Sequence, residues 1–482
     1  MAHGRAGIGA GLRNENKNFL MNVAYQGLTL VFPLVTVPWV SRALGADGVG
    51  TYSYTYSVAY MFMLAGMLGI NNYGNRAVAR VRDDDEALSR EFSATYALQL
   101  VVNLVAVAAY AAFIMLAGTG YGVIDWIQLI YVVSICFDVN WFFFGLEMFK
   151  LTIARNLVVK VLSLVLIVLF VRRPGDLWLY CAIMAGSTFV SQLCLFALLP
   201  RYVRFARPEA RDVVGRLKDV AVLFVPVAAY SVYRVLDKTM LGSMASVAEL
   251  GYFENAEKLI NIPVAVITAL GTVMLPRMSY LLADPEADWR GTMRGSMNLA
   301  LMLACAMSAG LIVIADDVCP VFFGAGFEDC ATVIRLLAVT VVCSAWSNVV
   351  RTQYLIPRSR DRVYVGSTVG AAVVNLALNL ALIPSLGALG ACSGTIAAEV
   401  FIVVYQTVAT RGELDTGAYA RSLAVHLLKS ALSAAFALVS ASLAHGAAAR
   451  LAVEMGVFVV GFLALNGRYI ARDFLGLGKG AA

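Results

Sequence analysis

The chain has 482 residues, 60% of them hydrophobic and 14% charged, with a mean hydropathy of +0.77. That apolar excess is more than a water-soluble fold of this size can bury. The formal charge of +6 is spread over many short segments, which fits contact with anionic membrane lipids and makes no case for nucleic acid.

A helical membrane span takes about 20 apolar residues, and roughly fourteen such stretches follow one another. They lie near 19–41, 50–72, 92–117, 124–146, 155–172, 176–200, 217–241, 250–275, 295–315, 331–356, 362–384, 387–410, 420–443 and 448–467. The polar start through Lys17 runs into a first stretch too long for a signal-peptide core, so it is expected to stay as a membrane helix. The fold class predicted is all-α and polytopic.

Basic residues alternate between the connecting segments. One set holds Arg5, Arg13 and Lys17; Arg76, Arg80, Arg82 and Arg90; Lys150 and Arg155; Arg201 to Lys218; Arg277, Arg290 and Arg294; Arg358, Arg360 and Arg362; Arg411 and Arg421; and Arg468, Arg472 and Lys479. The other set carries only Arg42, Arg172, Arg173 and Arg450. By the positive-inside rule the first set is cytoplasmic, which places both termini inside the cell membrane. Cys319 and Cys330 share one outward loop, so a disulfide is geometrically open. The other cysteines lie in apolar spans, the three histidines are scattered, and neither a metal site nor a cofactor is expected.

A shift of 201 residues lays Gly50-Thr51-Tyr52 on Gly251-Tyr252-Phe253, Arg76 on Arg277 and Asp83 on Asp284. Because the shift covers six spans, the two copies have the same orientation. The organisation expected is an N-terminal lobe with its linker over 1–214, a C-terminal lobe over 215–411, and an extra hairpin and tail over 412–482. Such duplication is common among transporters, whose halves rock about a site between them.

Polar residues inside spans mark candidate sites, because lipid does not solvate them. Arg76 and Arg277 hold equivalent inner ends of the two copies, as headgroup anchors or as groups that draw a phosphate toward the mouth between lobes. Asp138 in span 4 and Glu399 in span 12 are deep carboxylates, candidates for binding a proton or sodium ion or for pairing structurally. Asp138, Trp141 and Gly145 are expected on one face of span 4. Span 7 presents Tyr230, Ser231, Arg234, Asp237 and Lys238, and span 8 presents Glu254, Glu257, Lys258 and Asn261. Their charges cancel, which suits a structural or gating network as well as a binding site. In span 10, Ser344, Ser347, Asn348 and Arg351 form one stripe at about 100° per residue. The stripe serves helix packing or a phosphate and sugar ligand, since a guanidinium forks to phosphate and stays charged. Pro33, Pro38, Pro226 and Pro263 are expected to kink spans 1, 7 and 8.

Four segments resemble the Wzx-type polysaccharide repeat-unit flippases. They are Phe137-Asp138-Val139-Asn140-Trp141-Phe142-Phe143-Phe144-Gly145-Leu146-Glu147 with Lys150 and Arg155-Asn156; Leu68-Gly69-Ile70 with Tyr73-Gly74 and Arg76; Asp237-Lys238-Thr239-Met240-Leu241-Gly242 with Gly251-Tyr252; and Gln353-Tyr354-Leu355-Ile356-Pro357 with Arg360, joined by Ile383-Pro384, Gly387 and Gly390. The resemblance implies the multidrug/oligosaccharidyl-lipid/polysaccharide transporter superfamily and a cargo of oligosaccharide on polyprenyl pyrophosphate, turned from the inner to the outer leaflet. A polysaccharide polymerase is a partner to consider. The alternative function is a cation-coupled exporter of drugs or another lipid-linked precursor. A membrane enzyme would need larger extramembrane segments bearing acids or bases. No G-x-x-x-x-G-K-[ST] string occurs, Gly476-Leu477-Gly478-Lys479-Gly480 being the nearest.

Overall fold

The computed structural model describes the backbone of residues 3–67, 69–284 and 286–469, and of these it leaves aside the side chains of 3–31, 222–223, 225–234 and 468–469. Among the described residues there is no strand; a helical span satisfies its backbone N–H and C=O groups within its own segment, which lipid cannot do for it. Eleven helices among the described residues are long and apolar enough to cross a membrane. They include α3 (Asp85–Leu116), α6 (Phe149–Phe170), α7 (Leu177–Phe196), α9 (Val247–Ala283), α10 (Trp289–Val318), α11 (Cys330–Val350), α12 (Asp361–Leu386), α13 (Ala388–Ala409), α14 (Thr416–Ala441) and α15 (Ala447–Tyr469). The remaining one, Val123–Gly145, is built from α4 (Val123–Ser134), a 3-10 turn and α5 (Asn140–Gly145).

The other three predicted spans fall on the two arms of α1 (His3–Met67) and on α8 (Ala210–Met244). The arms of α1 meet at Gly45, whose φ of 69° and ψ of 179° lie outside the helical region. Only glycine takes that conformation without strain. A short α2 (Ile70–Val81) follows. Asp84 then caps α3, accepting hydrogen bonds from the Glu86 and Ala87 amides at 3.0 Å each. Those two donors hold its carboxyl below the usual carboxylate range.

The chain divides into two compact units, Met1–Thr239 and Met240–Ala482. The division falls inside α8, whereas the repeat in the sequence begins its second copy near 215. A strap explains why the start of α8 groups with the first unit. Arg216 reaches Glu91 of α3 at 2.7 and 3.2 Å, and the amides of Arg204 and Ala206 donate to Ser89 and Ser93.

In the first unit, an aromatic core of Phe92, Trp141, Phe142 and Phe143 joins α3 to α5, with Val78 of α2 against it. In the second, α11 is the central helix: 61% of its apolar window is buried, against 11% for α6 in the first unit. It packs on α9, α10 and α13. The α12–α13 pair is close because Gly370 leaves room for Phe401, where a Cβ would come within 2.7 Å of the ring. Small residues at such crossings replace the hydrophobic drive that lipid cannot give. The α14–α15 hairpin seats on α10 through Met302, Val313, Ala437, Phe458 and Phe462. Exposed residues such as Val101, Leu162, Leu380 and Val439 form the outer faces that lipid would wet.

Candidate functional site

The span 4 signature is a broken helix. After α4 the chain makes a 3-10 turn at Ile135–Phe137, Asp138 is extended at φ −77°, ψ 101°, and α5 starts at Asn140. A face shared by Asp138 with Trp141 and Gly145 is therefore corrected: the helical period stops at Asp138, and only Trp141 and Gly145 share α5. The break strands carbonyls that lipid would not solvate, and α3 supplies their donors. Gln99 donates to the Ile135 carbonyl at 3.0 Å and the Asp138 carbonyl at 2.8 Å. Asn103 donates to Ile135 at 2.8 Å and the Tyr96 hydroxyl to Cys136 at 3.1 Å. The Gln99 oxygen in turn accepts from the Trp141 indole at 2.8 Å.

The Asp138 carboxylate accepts from the Asn140 amide at 3.0 Å and from its side-chain nitrogen at 2.6 Å. Asn140 then accepts from Arg155 of α6 at 2.9 Å, and Arg155 also donates to the Ser191 carbonyl and to Gln192 of α7. One polar chain thus ties the break to two further helices. Glu147, which closes the signature at φ 58°, pairs with Arg82 beyond α2 at 2.7 Å. Gln99, Asn103 and Gln192 are the residues that sequence reasoning missed. The legible signal was Gln99 and Asn103 at i and i+4 in an apolar span.

In the second unit the span 10 stripe is shared among neighbours. Ser344 donates to Glu399 of α13 at 3.2 Å, which brings together two residues singled out separately. Asn348 is buried beside Gly271 of α9, and its side-chain oxygen has no hydrogen-bond partner among the described residues. At Arg351 the helix loosens into a π-turn, Arg351–Leu355, and the guanidinium lies 5.7 Å from the Tyr364 ring of α12. π-turns interrupt the regular ladder and recur at functional sites.

The charged set of spans 7 and 8 is described in part. The side chain of Arg234 lies outside the described residues, as do Tyr230, Ser231 and Pro226. Asp237 is buried. Lys258 pairs with Glu254 along its own helix at 3.2 Å, with Glu257 half-buried beside it. Cys319 and Cys330 are buried free cysteines, and the Cys330 thiol donates to the Tyr252 carbonyl at 3.3 Å.

Several arginines are neutralised by an acid, among them Arg216 by Glu91, Arg294 by Asp415 at 2.6 Å, Arg335 by Asp316, Arg360 by Glu413 at 2.8 Å and Arg450 by Asp317 at 2.6 Å. Arg76 and Arg277 are exposed and form no ion pair among the described residues, and Arg351 meets an aromatic ring instead. Arg76 lies on the separate helix α2, while Arg277 lies on the unbroken α9 beside Pro276.

Broken and loosened helices with polar fillings, in an all-helical chain with eleven candidate membrane spans among the described residues, mark a multi-pass membrane protein. Its fold is similar to that of lipid II flippase MurJ in an inward closed conformation, with a TM-score of 0.72 at 12% identity over 95% of this chain and 100% of that one. An inward-facing multidrug resistance MATE transporter gives a TM-score of 0.58 at 16% identity, over 79% and 94%. The chain belongs to the polysaccharide biosynthesis protein family, whose model matches residues 16–282. It is similar to the putative O-antigen transporters of Shigella dysenteriae (21% identity, 82% of this chain and 100% of the relative) and Escherichia coli strain K12 (20%, 81% and 96%). A probable low-salt glycan biosynthesis flippase of Haloferax volcanii matches at 23% identity over 34% of each chain.

Proposed function

We propose that the protein is a flippase that moves polyprenyl-pyrophosphate-linked oligosaccharide repeat units from the cytoplasmic to the outer leaflet of the cell membrane during cell-surface polysaccharide synthesis. Membership of the polysaccharide biosynthesis family carries the reading, and the two O-antigen transporters, matched over nearly their whole length, support it. The chemistry needs no covalent step. The cargo's pyrophosphate is drawn by arginines left without acids, Arg76, Arg277 and Arg351, while Ser344 and Asn348 offer neutral hydrogen-bonding groups to sugar hydroxyls. The prenyl tail stays in lipid.

Both termini are cytoplasmic in this proposal, and the lobes expected from the repeat alternate in access, with Arg234, Asp237, Lys238, Glu257 and Lys258 as a gating network. A proton or sodium ion bound at Asp138 or Glu399 couples the cycle, and the product passes to a polysaccharide polymerase. Proteoliposomes loaded with a defined lipid-linked oligosaccharide test the reading: outward movement dependent on the protein is expected. Export of a cationic drug with no movement of the glycolipid would overturn it in favour of the exporter reading. For orientation, a single cysteine placed at position 120 is expected to label from outside and one at 210 from inside.

A further inference from the structure

A second set of acid-free arginines sits where α10 begins and the π-turn after α11 ends, wholly within the second unit. Trp289, the first residue of α10, stacks on Tyr354 with ring centroids 5.7 Å apart and planes 29° from parallel. The Arg358 guanidinium lies 5.3 Å from the Trp289 ring and 5.1 Å from the Tyr354 ring. The Arg290 guanidinium lies 5.1 Å from the same indole. Two cations thus share one ring. The local backbone holds Arg358 there: its amide donates to the Tyr354 carbonyl at 3.2 Å, and Ser359 follows at φ 53°.

The nearby carboxylates already have partners: Asp288 caps the start of α10, accepting from the Gly291 amide at 2.8 Å. Glu413 accepts from Arg360 and from the Tyr354 hydroxyl, and Asp415 accepts from Arg294. Neither Arg290 nor Arg358 forms an ion pair among the described residues, and both are exposed. A guanidinium lying on an aromatic face keeps its in-plane N–H donors free, and those donors match the oxygens of a phosphoryl group. Two such groups around one indole hold two unneutralised charges. That suits a diphosphate, which has two phosphoryl groups and more than one negative charge, better than the single charge of a phosphodiester.

We infer that Trp289, Arg290 and Arg358 form a landing subsite for the diphosphate headgroup of a prenyl-linked lipid, at the end of the unit that the basic loops assign to the cytoplasm. The inference rests on the proposed cargo and adds where its headgroup is first held, at residues separate from Arg76, Arg277 and Arg351.

The test is direct binding to purified full-length protein in detergent, read by tryptophan fluorescence, with farnesyl diphosphate as the probe. A saturable signal is expected in the unaltered protein and is expected to be lost in Trp289→Phe. Affinity is expected to fall about tenfold or more in Arg290→Gln/Arg358→Gln and to stay unchanged in Arg294→Gln, whose charge is already paired. Thermal melting of each variant separates lost binding from lost folding, and a double lysine variant that recovers only part of the affinity confirms that the planar fork matters. Competition by inorganic pyrophosphate supports recognition of the headgroup alone. Equal binding of phosphatidylglycerol would overturn the diphosphate assignment in favour of a membrane phospholipid anchor. A signal indifferent to the double substitution would remove the site altogether. Because binding is read without transport, failure of the flipping assay on the unaltered protein would be a separate result.

Discussion

Gly74 lies against the face of the Trp141 indole: a Cβ at position 74 would stand 2.6 Å from the ring's Cδ2. The contact is reciprocal along the pair of helices. A Cβ at Gly145 would meet Val78 at 2.6 Å, so α2 and α5 approach through one glycine on each. Trp141 is held from its other edge by Gln99, which fixes the ring where Gly74 must accommodate it.

Gly74→Ala and Gly145→Ala are accordingly expected to destabilise the protein by about 1–3 kcal/mol each, the usual cost of overpacking a filled core. Thermal unfolding in detergent measures it. Trp141→Phe in the Gly74→Ala background is expected to recover part of the loss, since the smaller ring vacates space. A Gly74→Ala protein that melts with the parent would show that α2 can slide away from α5 at no cost.

The second expectation concerns the helix break. Gln99→Leu fills the same volume but removes the donor to the Asp138 carbonyl, the acceptor for the indole and one donor to Ile135, which Asn103 also serves. Each buried group left without a partner costs about 1–3 kcal/mol. Gln99→Glu keeps the acceptor but sets a buried carboxylate against two carbonyl oxygens, so it is expected to melt no higher than Leu. Melting temperatures in that order check the argument; equal values for Glu and the parent would mean that the carbonyls find other donors.

Hydropathy revealed the span positions because a bilayer forces continuous apolar helices, and the fourteen expected stretches fall on the helices observed. The same averaging hid the interruption at Ile135–Val139, since those residues are as apolar as a regular helix. What marks the break lies more than thirty residues away, in Gln99 and Asn103, and pairing across that distance is a tertiary fact. Family motifs were visible as strings but not as contacts. Gly387, for example, has φ 53° and sits under the Glu249 carboxylate that accepts from the Ala388 amide at 2.8 Å. Nothing near 387 in the sequence points to residue 249. The span 10 stripe was legible as a face, while the division of that face among α13, α9 and α12 depends on packing.

Arg351 provides the third expectation. Its guanidinium lies 5.7 Å from the Tyr364 ring with no acid paired to it among the described residues, and the proposed function assigns it to the cargo's phosphate. Arg351→Ala is expected to reduce flipping by roughly 10- to 100-fold, the worth of one charge-assisted hydrogen bond or a bidentate pair. Arg351→Lys keeps the charge without the fork and is expected to retain part of the activity. Normal flipping by correctly inserted Arg351→Ala would take this residue out of the cargo path.

The two deep carboxylates are expected to separate. Asp138 is bound into the break by both nitrogens of Asn140, which passes the connection on to Arg155. Asp138→Asn keeps an acceptor but loses the charge that orients this chain, so it is expected to cost about 1–3 kcal/mol of stability while the surviving protein still responds to an imposed ion gradient. Glu399 accepts from the hydroxyl of Ser344, a bond that the amide of Glu399→Gln can also accept. That substitution is expected to leave melting within about 1 kcal/mol and to abolish the response of flipping to a pH or sodium gradient, because an amide binds neither a proton nor a cation as a carboxylate does. Measuring melting and gradient response on both variants decides between the roles. Gradient-driven flipping by Glu399→Gln at the parent's level would end the coupling assignment, and loss of the response in Asp138→Asn without loss of stability would move it to the break.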